Sequence, residues 1–238
     1  MSAQEWQIAS FTAGVAALST LCILPVGLVV AWLLAKYRWP GKALVETLIS
    51  LPLVMPPVAT GLVLLHLLGR RGVIGGWLHD TLQLDIVFTW RGVLAACAVM
   101  SFPLLVRAER IGFEEVSEEC EDAARVEGAS GWRMLSHVIL PLSARSILAG
   151  VIQAYARALG EFGATIMVAG NIPGRTRTLA LAIYQHVQLG QDRDAFRLLA
   201  VSVILAFLAI WLSEHLLRRG QEPARRRRRT PGAMEDGR

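Results

Sequence analysis

The sequence predicts an all-α integral membrane protein with about five spanning helices. Its 238 residues are 54% hydrophobic and only 18% charged, whereas ordinary soluble domains carry about 25% charged residues. Several apolar windows approach the length of about 20 residues with which a helix crosses a bilayer. One long polar segment, 107–141, lies between two of these windows. Together these observations predict a single membrane domain over 1–217, followed by a basic tail over 218–238.

Five apolar windows are the predicted membrane spans, and the second of them contains Pro52, Pro56 and Pro57. Proline has no backbone N–H and its ring clashes with the preceding turn, so we expect that span to be kinked or broken. A broken membrane helix either forms a bent wall of the bundle or lines a pathway through it, and the prolines fit both roles. The windows are 11–35, 44–68, 92–106, 142–170 and 198–217.

The polar segment 118–141 predicts two short helices that meet at a glycine outside the bilayer. Residues 123–127 favour helix, and Gly128 is a typical stop. A second amphipathic run, 132–139, ends where Leu140 is followed by Pro141. The residues between 107 and 137 include eight Asp and Glu against four arginines. The sequence therefore predicts an acidic helical corner at the membrane surface.

The basic residues are distributed unevenly between the two sides of the predicted bundle. With five spans, the segments 36–43, 107–145 and 218–238 lie on one side and contain sixteen of the 24 lysines and arginines. Short loops rich in lysine and arginine stay in the cytoplasm. We therefore expect the N-terminus outside, and the polar segment and the C-terminus inside. The tail contains five consecutive arginines at 225–229, which predicts attraction to anionic membrane lipid rather than to nucleic acid.

Two charged residues, Arg157 and Glu161, fall within the fourth predicted span. Their spacing of four residues predicts that they share a helix face, and ionisable side chains at that depth usually face the bundle interior. Two roles are consistent with this pattern. The pair either locks helix packing, which Gly160 and Gly163 support by allowing close approach, or supplies an arginine that lines the route of an anion.

The chain carries no sequence signature of catalysis or nucleotide binding. The glycine-rich stretch 69–75 lacks the lysine and the preceding strand of a phosphate-binding loop. No zinc-protease or serine-hydrolase motif occurs, and the five histidines and three cysteines lack the spacing of metal ligands or of a disulfide framework. The first ten residues have no basic region, which argues against a cleaved signal peptide. We therefore expect a non-enzymatic protein without a catalytic residue, metal or cofactor of its own.

The spacing within the polar segment resembles the EAA loop of ABC-importer permeases. The letters D-A-A at 122–124 are followed by Gly128 after three residues, and by V-x-L-P at 138–141 after nine more. The family usually has Glu at the first of these positions and Ile in place of Val138, and both replacements keep the charge or the branched shape. The resemblance implies a loop that couples the membrane helices to an ATPase, formed by Glu121, Asp122, Ala123, Ala124, Gly128, Leu140 and Pro141.

Further stretches resemble the permeases of molybdate importers within that family. They read LPLVMPPVATG at 51–61, GRRGVIG at 69–75, SFPLLVR at 101–107, ALGEFGATIM at 158–167 and NIPGRTRTL at 171–179. The resemblance runs from about residue 5 to 217 and implies the type I importer architecture in the bacterial cytoplasmic (inner) membrane. It also implies a homodimer that pairs with two ATP-binding cassette ATPase subunits, which bind ATP and Mg, and with an extracytoplasmic molybdate-binding protein.

Alternatives to molybdate import stay open in the sequence. Tungstate and sulfate permeases belong to the same group, and selectivity in such importers resides mostly in the binding protein. The other alternative is an ion-coupled secondary transporter, a class that often shows internal repeats and several charges at the midplane. This chain has one such ion pair and no evident repeat. The residues expected to line a pathway or to pack the bundle are Arg157, Glu161, Pro56 and Pro57.

Overall fold

A single long helix begins the bundle. In the computed structural model, which describes residues 2–219 and their side chains as far as Trp211, α1 (Ala3–Lys36) contains the whole of the first predicted span. It begins with a capping box, in which the Ser2 hydroxyl accepts a hydrogen bond from the Glu5 N–H and the Glu5 carboxylate accepts one from the Ser2 N–H. The helix therefore starts well before the apolar window, because its first turn is stabilised by capping rather than by burial.

The second predicted span is broken in two. It consists of α2 (Lys42–Val54) and α3 (Pro57–Leu68), whose axes differ by 113°. Pro56 and Pro57 lie at the break, where neither can donate a backbone hydrogen bond to the preceding turn. Pro52 lies inside α2 without ending it. The prediction of a broken span is confirmed, and the break itself is located at Met55 and Pro56.

The connection after α3 contains α4 (Val73–Leu82), a helix outside the five predicted windows. An ion pair holds the ends of this connection together, because Arg70 donates two hydrogen bonds to the Asp85 carboxylate, at 2.8 and 2.6 Å. The hydrogen bond from Arg70 lowers the pKa of Asp85 below its ordinary value. His79 Nδ1 lies 3.2 Å from the same carboxylate.

The third span, α5 (Trp90–Glu114), is longer than the window 92–106 that predicts it. Pro103 lies within it and does not interrupt it. The helix continues past residue 106 because its charged residues find partners or burial. Arg110 pairs with Glu46 of α2 at 2.8 Å and with Glu114 at 2.7 Å, and Glu109 is fully buried. The polar connection therefore begins after Glu114 rather than at residue 107.

The polar connection contains α6 (Glu118–Val126) and α7 (Gly131–Met134), which continues through a π-helical turn (Leu135–Ile139) into α8 (Leu140–Leu142). The fourth predicted span is again two helices, α9 (Ala144–Leu159) and α10 (Gly163–Ala169). After a turn come α11 (Leu179–Gln188) and α12 (Asp192–Arg219). The predicted basic tail, 218–238, lies almost wholly outside the described residues.

The core lies where α5 packs between α1 and α9. Among its fully buried side chains are Val93, Met100 and Leu105 of α5 and Ala154 of α9. Large apolar side chains are exposed along α1 and α12, as expected of helices that face lipid. Within the described residues, three helices are long and apolar enough to span a membrane. The number rises to as many as five if two bent pairs each count as one span, Lys42–Val54 with Pro57–Leu68 and Gly131–Leu142 with Ala144–Leu159. The prediction of an all-α bundle with about five spans is confirmed.

Candidate coupling loop and intramembrane contacts

The first helix of the polar connection, α6, is stabilised at both ends by local hydrogen bonds. The Ser117 hydroxyl accepts from the Cys120 N–H at its start, and three glutamates in the first turn suit the positive end of the helix dipole. At its other end, the N–H groups of Gly128 and Ala129 donate to the carbonyls of Arg125 and Ala124, at 3.0 and 2.9 Å. This is a Schellman motif, and it requires the left-handed backbone that Gly128 adopts, with φ of 87°. The predicted helix stop at Gly128 is confirmed.

The two faces of α6 differ in their surroundings. Glu121 is buried and Ala124 is half-buried against the cluster that joins α1 to α5. Asp122, Ala123 and Val126 point away from the bundle, and Val126 is 89% exposed. An exposed apolar residue beside small and acidic ones is a surface suited to contact with another protein. The structure therefore divides the predicted coupling residues into an anchoring face and a free face.

An ion pair joins α6 to the end of α1. The Lys36 ammonium lies 2.5 Å from Glu121 Oε1, and it donates a hydrogen bond to the Val116 carbonyl at 3.3 Å. The side chains of Lys36 and Glu121 are only 17% and 7% exposed. Arg125, which is 60% exposed, lies 3.3 Å from the other oxygen of Glu121. The sequence does not predict this contact, since no spacing rule connects residues so far apart in the chain.

This ion pair lines an open cavity of about 280 Å³ beside the connection. Trp32, Lys36 and Tyr37 form one wall and Met134 and Ile139 another. Met134 and Ile139 also belong to a hydrophobic cluster in which the second half of the connection packs on both long helices. Its buried members are Ala31 and Leu34 of α1, Val106 and Phe113 of α5, Val116, and Met134, Leu135 and Ile139 of the connection.

The second half of the connection contains a π-helical turn next to a proline. Pro141 has no N–H to donate to the His137 carbonyl, so the regular hydrogen-bond pattern cannot continue through the turn that precedes it. The chain then bends by 77° between Leu142 and Ala144. At the bend, the buried Ser143 hydroxyl donates to the Gly112 carbonyl of α5 at 2.8 Å. Leu140 and Pro141 therefore lie where the connection turns into α9, one helix beyond Gly128.

Within the bundle, the break in the second span meets the break in the fourth. Pro57 begins α3 and Gly163 begins α10, and a methyl group added to Gly163 would lie only 2.7 Å from Pro57 Cβ. Only glycine permits this approach of the two helix starts. The hydroxyls of Thr60 and Thr165 are buried on these two helices and have no hydrogen-bond partner among the described residues. The structure thus brings Pro56 and Pro57 next to the segment that contains Glu161.

Arg157 and Glu161 form the predicted ion pair, with 2.6 Å between Nη1 and Oε2. The predicted geometry is wrong, however, because the two do not share a helix face. Helix α9 ends at Leu159, with Gly160 as its cap, and Glu161 lies in the break. The other oxygen of Glu161 accepts a hydrogen bond from the Ala164 N–H at 2.8 Å, so this carboxylate also caps α10. Its side chain is 1% exposed and that of Arg157 is 27% exposed.

A further acid, Glu109, is buried in α5 and was not predicted as a site residue. Both of its carboxylate oxygens lack a hydrogen-bond partner among the described residues. One oxygen lies against α1, where a methyl group added to Gly27 would approach it to 2.8 Å. This burial is not predictable from the local sequence, because Glu109 stands among charged neighbours, Arg107 and Arg110. Within the described residues, no group of three or more His, Cys, Asp and Glu side chains has the geometry of a metal site.

Comparison with known proteins identifies relatives of this chain among transport permeases. The chain is 46% identical to the molybdenum transport system permease protein ModB of Escherichia coli, over 93% of this chain and 97% of the relative. It is 44% identical to the protein of the same name from Haemophilus influenzae, over 87% of this chain and 91% of the relative. The sulfate transport system permease protein CysT of E. coli is 37% identical, over 76% of this chain and 66% of the relative.

The fold is also found in a solved transporter. A chain in the crystal structure of a bacterial ABC transporter involved in the import of the acidic polysaccharide alginate superposes with a TM-score of 0.71 and 18% identity, over 92% of this chain and 80% of that one. Residues 4–227 match the family described as the binding-protein-dependent transport system inner membrane component. The match covers nearly the whole chain and includes the helical corner, the broken spans and the core described above. The protein therefore belongs to the binding-protein-dependent transport system inner membrane components, with the type I ABC-importer permease architecture.

Proposed function

We propose that this chain is the membrane-spanning permease subunit of an ATP-driven importer of molybdate. The observation that carries the proposal is the geometry of α6, which is anchored to the bundle on one face and free on the other. Because the chain has no phosphate-binding loop of its own, a separate ATPase has to drive it and needs a surface on which to dock. Molybdate is the expected cargo because the relatives named for molybdenum transport are the more similar and match over almost their whole length.

The partners follow from the same proposal. Two copies of the chain form the channel, each with its α6 in a groove of one ATP-binding cassette ATPase subunit, which binds ATP and Mg. An extracytoplasmic molybdate-binding protein delivers the anion to the opposite side. The distribution of lysine and arginine supports an N-terminus outside and a C-terminus inside, in the cytoplasmic (inner) membrane of a bacterium. The basic tail then lies beside anionic lipid.

The contacts of α6 suggest how movement reaches the spans. Closure of the ATPase pushes on Asp122 and Ala123, and the Schellman motif at Gly128 keeps the helix end from fraying. The Lys36–Glu121 ion pair carries the displacement to α1. A second route runs through the π-helical turn to Pro141 and Ser143, whose hydrogen bond to Gly112 reaches α5. Both long helices of the core are therefore tied to one surface helix.

The two apposed helix breaks are the proposed moving part of the bundle. Breaks in membrane helices are tolerated where protein or a pathway surrounds the exposed backbone. In this structure Pro57 packs against Gly163, and Glu161 is held by both Arg157 and the start of α10. This arrangement favours the packing role of the pair. In the conformation that opens the pathway, separation of the breaks would expose the Arg157 guanidinium to a passing anion.

The proposal is tested by reconstitution. The permease, its co-purifying ATPase and its binding protein are placed in lipid vesicles, and uptake of molybdate is followed with ATP inside and with ATP absent. ATP-dependent molybdate uptake that requires the binding protein is the expected result. Uptake of sulfate or tungstate in preference to molybdate would assign the chain to another anion of the same class. Uptake by the permease alone, driven by an ion gradient, would overturn the proposal.

A further inference from the structure

A cavity of about 340 Å³ opens at the N-terminal end of α1, remote in sequence from the coupling loop. Its walls are the first turns of α1 and the turn that precedes α11. We propose that this cavity is an entry site for a tetrahedral oxyanion dianion on the permease itself. The inference rests on the proposed function and on its orientation, which place this end of α1 outside. The residues that line the cavity and carry the argument are Gln4, Gln7, Ile8, Phe11, Arg175 and Arg177.

The charge of the cavity comes from two arginines that have no acidic partner within the part of the chain that the structure describes. No carboxylate of the described residues lies within ion-pair distance of Arg175 or Arg177. Arg177 Nε donates only to the neutral amide oxygen of Asn171, at 3.0 Å, and Arg175 is exposed. Two unpaired guanidinium groups match the charge of a dianion, and each presents several N–H donors in a fixed plane.

The turn that carries these arginines is fixed before any ligand arrives. The Ile172 carbonyl accepts hydrogen bonds from the N–H groups of residues 175, 176 and 177, at 3.2, 3.0 and 3.2 Å. The hydroxyl of Thr176, a fully buried residue, accepts from the Ile172 N–H at 3.0 Å. Just beyond the turn, the Leu179 N–H donates to the Thr12 hydroxyl of α1 at 3.0 Å. A preorganised wall loses little conformational entropy on binding, which favours capture of a small ligand.

The opposite wall supplies donors without adding negative charge. Gln4 and Gln7 lie on α1 and present amide N–H groups. The acid of this helical turn, Glu5, is engaged elsewhere: it accepts from the Ser2 N–H and lies 3.4 Å from Arg197. Ile8 and Phe11 add apolar surface to the lining. Donors on two sides and no acid in the lining suit a ligand that is only an acceptor, with oxygens in several directions.

The test measures anion binding by the permease without its binding protein. The permease and its co-purified ATPase are placed in nanodiscs of neutral phosphatidylcholine, and sodium molybdate is titrated by calorimetry at constant ionic strength. In the variant Arg175→Gln/Arg177→Gln, which keeps amide donors but removes both charges, we expect the Kd for molybdate to rise by about tenfold or more. The matched control is Arg71→Gln/Arg193→Gln, which removes two exposed arginines that do not line the cavity, and it should leave the Kd within about twofold.

Several outcomes would overturn the inference. The first is an equal Kd for molybdate in the wild type, the double variant and the control. The second is an equal rise of this Kd in the control and in the double variant, and the third is binding of chloride as strong as binding of molybdate. If the double variant binds molybdate normally but no longer retains the binding protein in a pull-down, the arginines serve protein docking instead. The single variant Arg175→Gln guards against misfolding, because the Arg175 side chain makes no hydrogen bond within the described residues. It should weaken binding by a smaller factor, with an unchanged Tm.

This experiment separates the entry site from the proposed function. If vesicles import molybdate with ATP while the cavity shows no binding, the entry site fails and the importer stands. If the cavity binds molybdate while the assembled complex transports a different substrate, the importer assignment fails and the oxyanion site stands. Binding in the cavity together with slowed uptake by the double variant, at low but not at saturating molybdate, would support both.

Discussion

The Lys36–Glu121 and Arg157–Glu161 ion pairs are alike in geometry and differ in what they join. Their shortest distances are 2.5 and 2.6 Å, and in each the glutamate is almost fully buried while the cation reaches solvent. Lys36 and Glu121 belong to separate elements, the end of α1 and the surface helix α6. Arg157 and Glu161 are four residues apart and close a gap between two consecutive helices.

The difference assigns the two pairs to different tasks. A pair between distant segments transmits displacement, because neither helix can move without the other or without breaking the contact. A pair across a helix break fixes local shape, since it holds α9 and caps α10 at once. Buried ion pairs contribute little net stability over apolar replacements, but removal of one partner is costly. Single substitutions in each pair therefore test the two roles separately.

The largest effect is expected from Gly128→Pro, which disconnects α6 from the rest of the connection. Proline fixes φ near −65°, whereas Gly128 has φ of 87° and donates from its N–H to Arg125. We expect ATP-driven uptake and its stimulation of ATP hydrolysis to fall to background, while the protein still inserts in the membrane. The measurement is uptake and ATPase activity in reconstituted vesicles.

The matched control for this change is Gly128→Asn, because asparagine tolerates the left-handed backbone and keeps the N–H. It should retain most of the coupled activity. Coupling that survives in the proline variant would show that the end of α6 carries no displacement, and the assignment of the coupling loop would then be wrong.

The second effect concerns the pair across the helix break. Arg157→Ala leaves the Glu161 carboxylate, 1% exposed, with the Ala164 N–H as its one remaining partner among the described residues. We expect a loss of roughly 3 kcal/mol in the free energy of unfolding. Arg157→Ala combined with Glu161→Ala removes the unpaired charge and should be the milder change, although it also loses the cap of α10. The measurement is thermal unfolding in detergent, alongside molybdate uptake.

The outcome of this pair of variants decides between packing and pathway. If the double variant is no more stable than the single one, the internal pair is not the main role of these residues. If stability recovers in the double variant while uptake stays low, Arg157 is needed by the anion as well as by the fold.

The third effect concerns the pair that joins α6 to α1. Lys36→Met keeps the apolar stem and removes the charge, so Arg125 at 3.3 Å is the one ionic partner that Glu121 retains among the described residues. We expect a loss of about 2 kcal/mol in stability and a drop in uptake per ATP hydrolysed, which the Arg157 variants should not show. The matched control is Lys42→Met, whose partner Glu46 lies 3.9 Å away, and a drop of the same size there would remove the special role of Lys36.

These contacts also show what the sequence can and cannot predict. Gly128 and the prolines at 56 and 57 act on the backbone within one turn of themselves, and their effects on the helix stop and the break were predicted from local rules. The helical class and the number of spans follow from composition and window length. All of these features depend on short stretches of chain.

The features that escaped prediction depend on packing between distant segments. Glu109 appears in the sequence as part of a polar loop. It is buried because α5 continues past residue 106 and packs Glu109 against Gly27 of α1. Lys36 meets Glu121 only once the connection folds back over the end of α1. The spacing of four residues predicts that Arg157 and Glu161 share one regular helix, yet the helix ends at Leu159 and the Glu161 carboxylate caps the next helix.

The smallest effect is expected from Arg125→Gln, which removes the second cation beside Glu121. Arg125 lies beside both Glu121 and Asp122, at 3.3 and 2.7 Å, but its side chain is 60% exposed. Exposed ion pairs on a helix contribute about 0.3–0.5 kcal/mol, so unfolding should change by less than about 1 kcal/mol. Uptake in proportion to ATP hydrolysis should stay unchanged. If Arg125→Gln instead matched Lys36→Met in uncoupling, Glu121 would be held from within its own helix, and α1 would not be the element that receives the push.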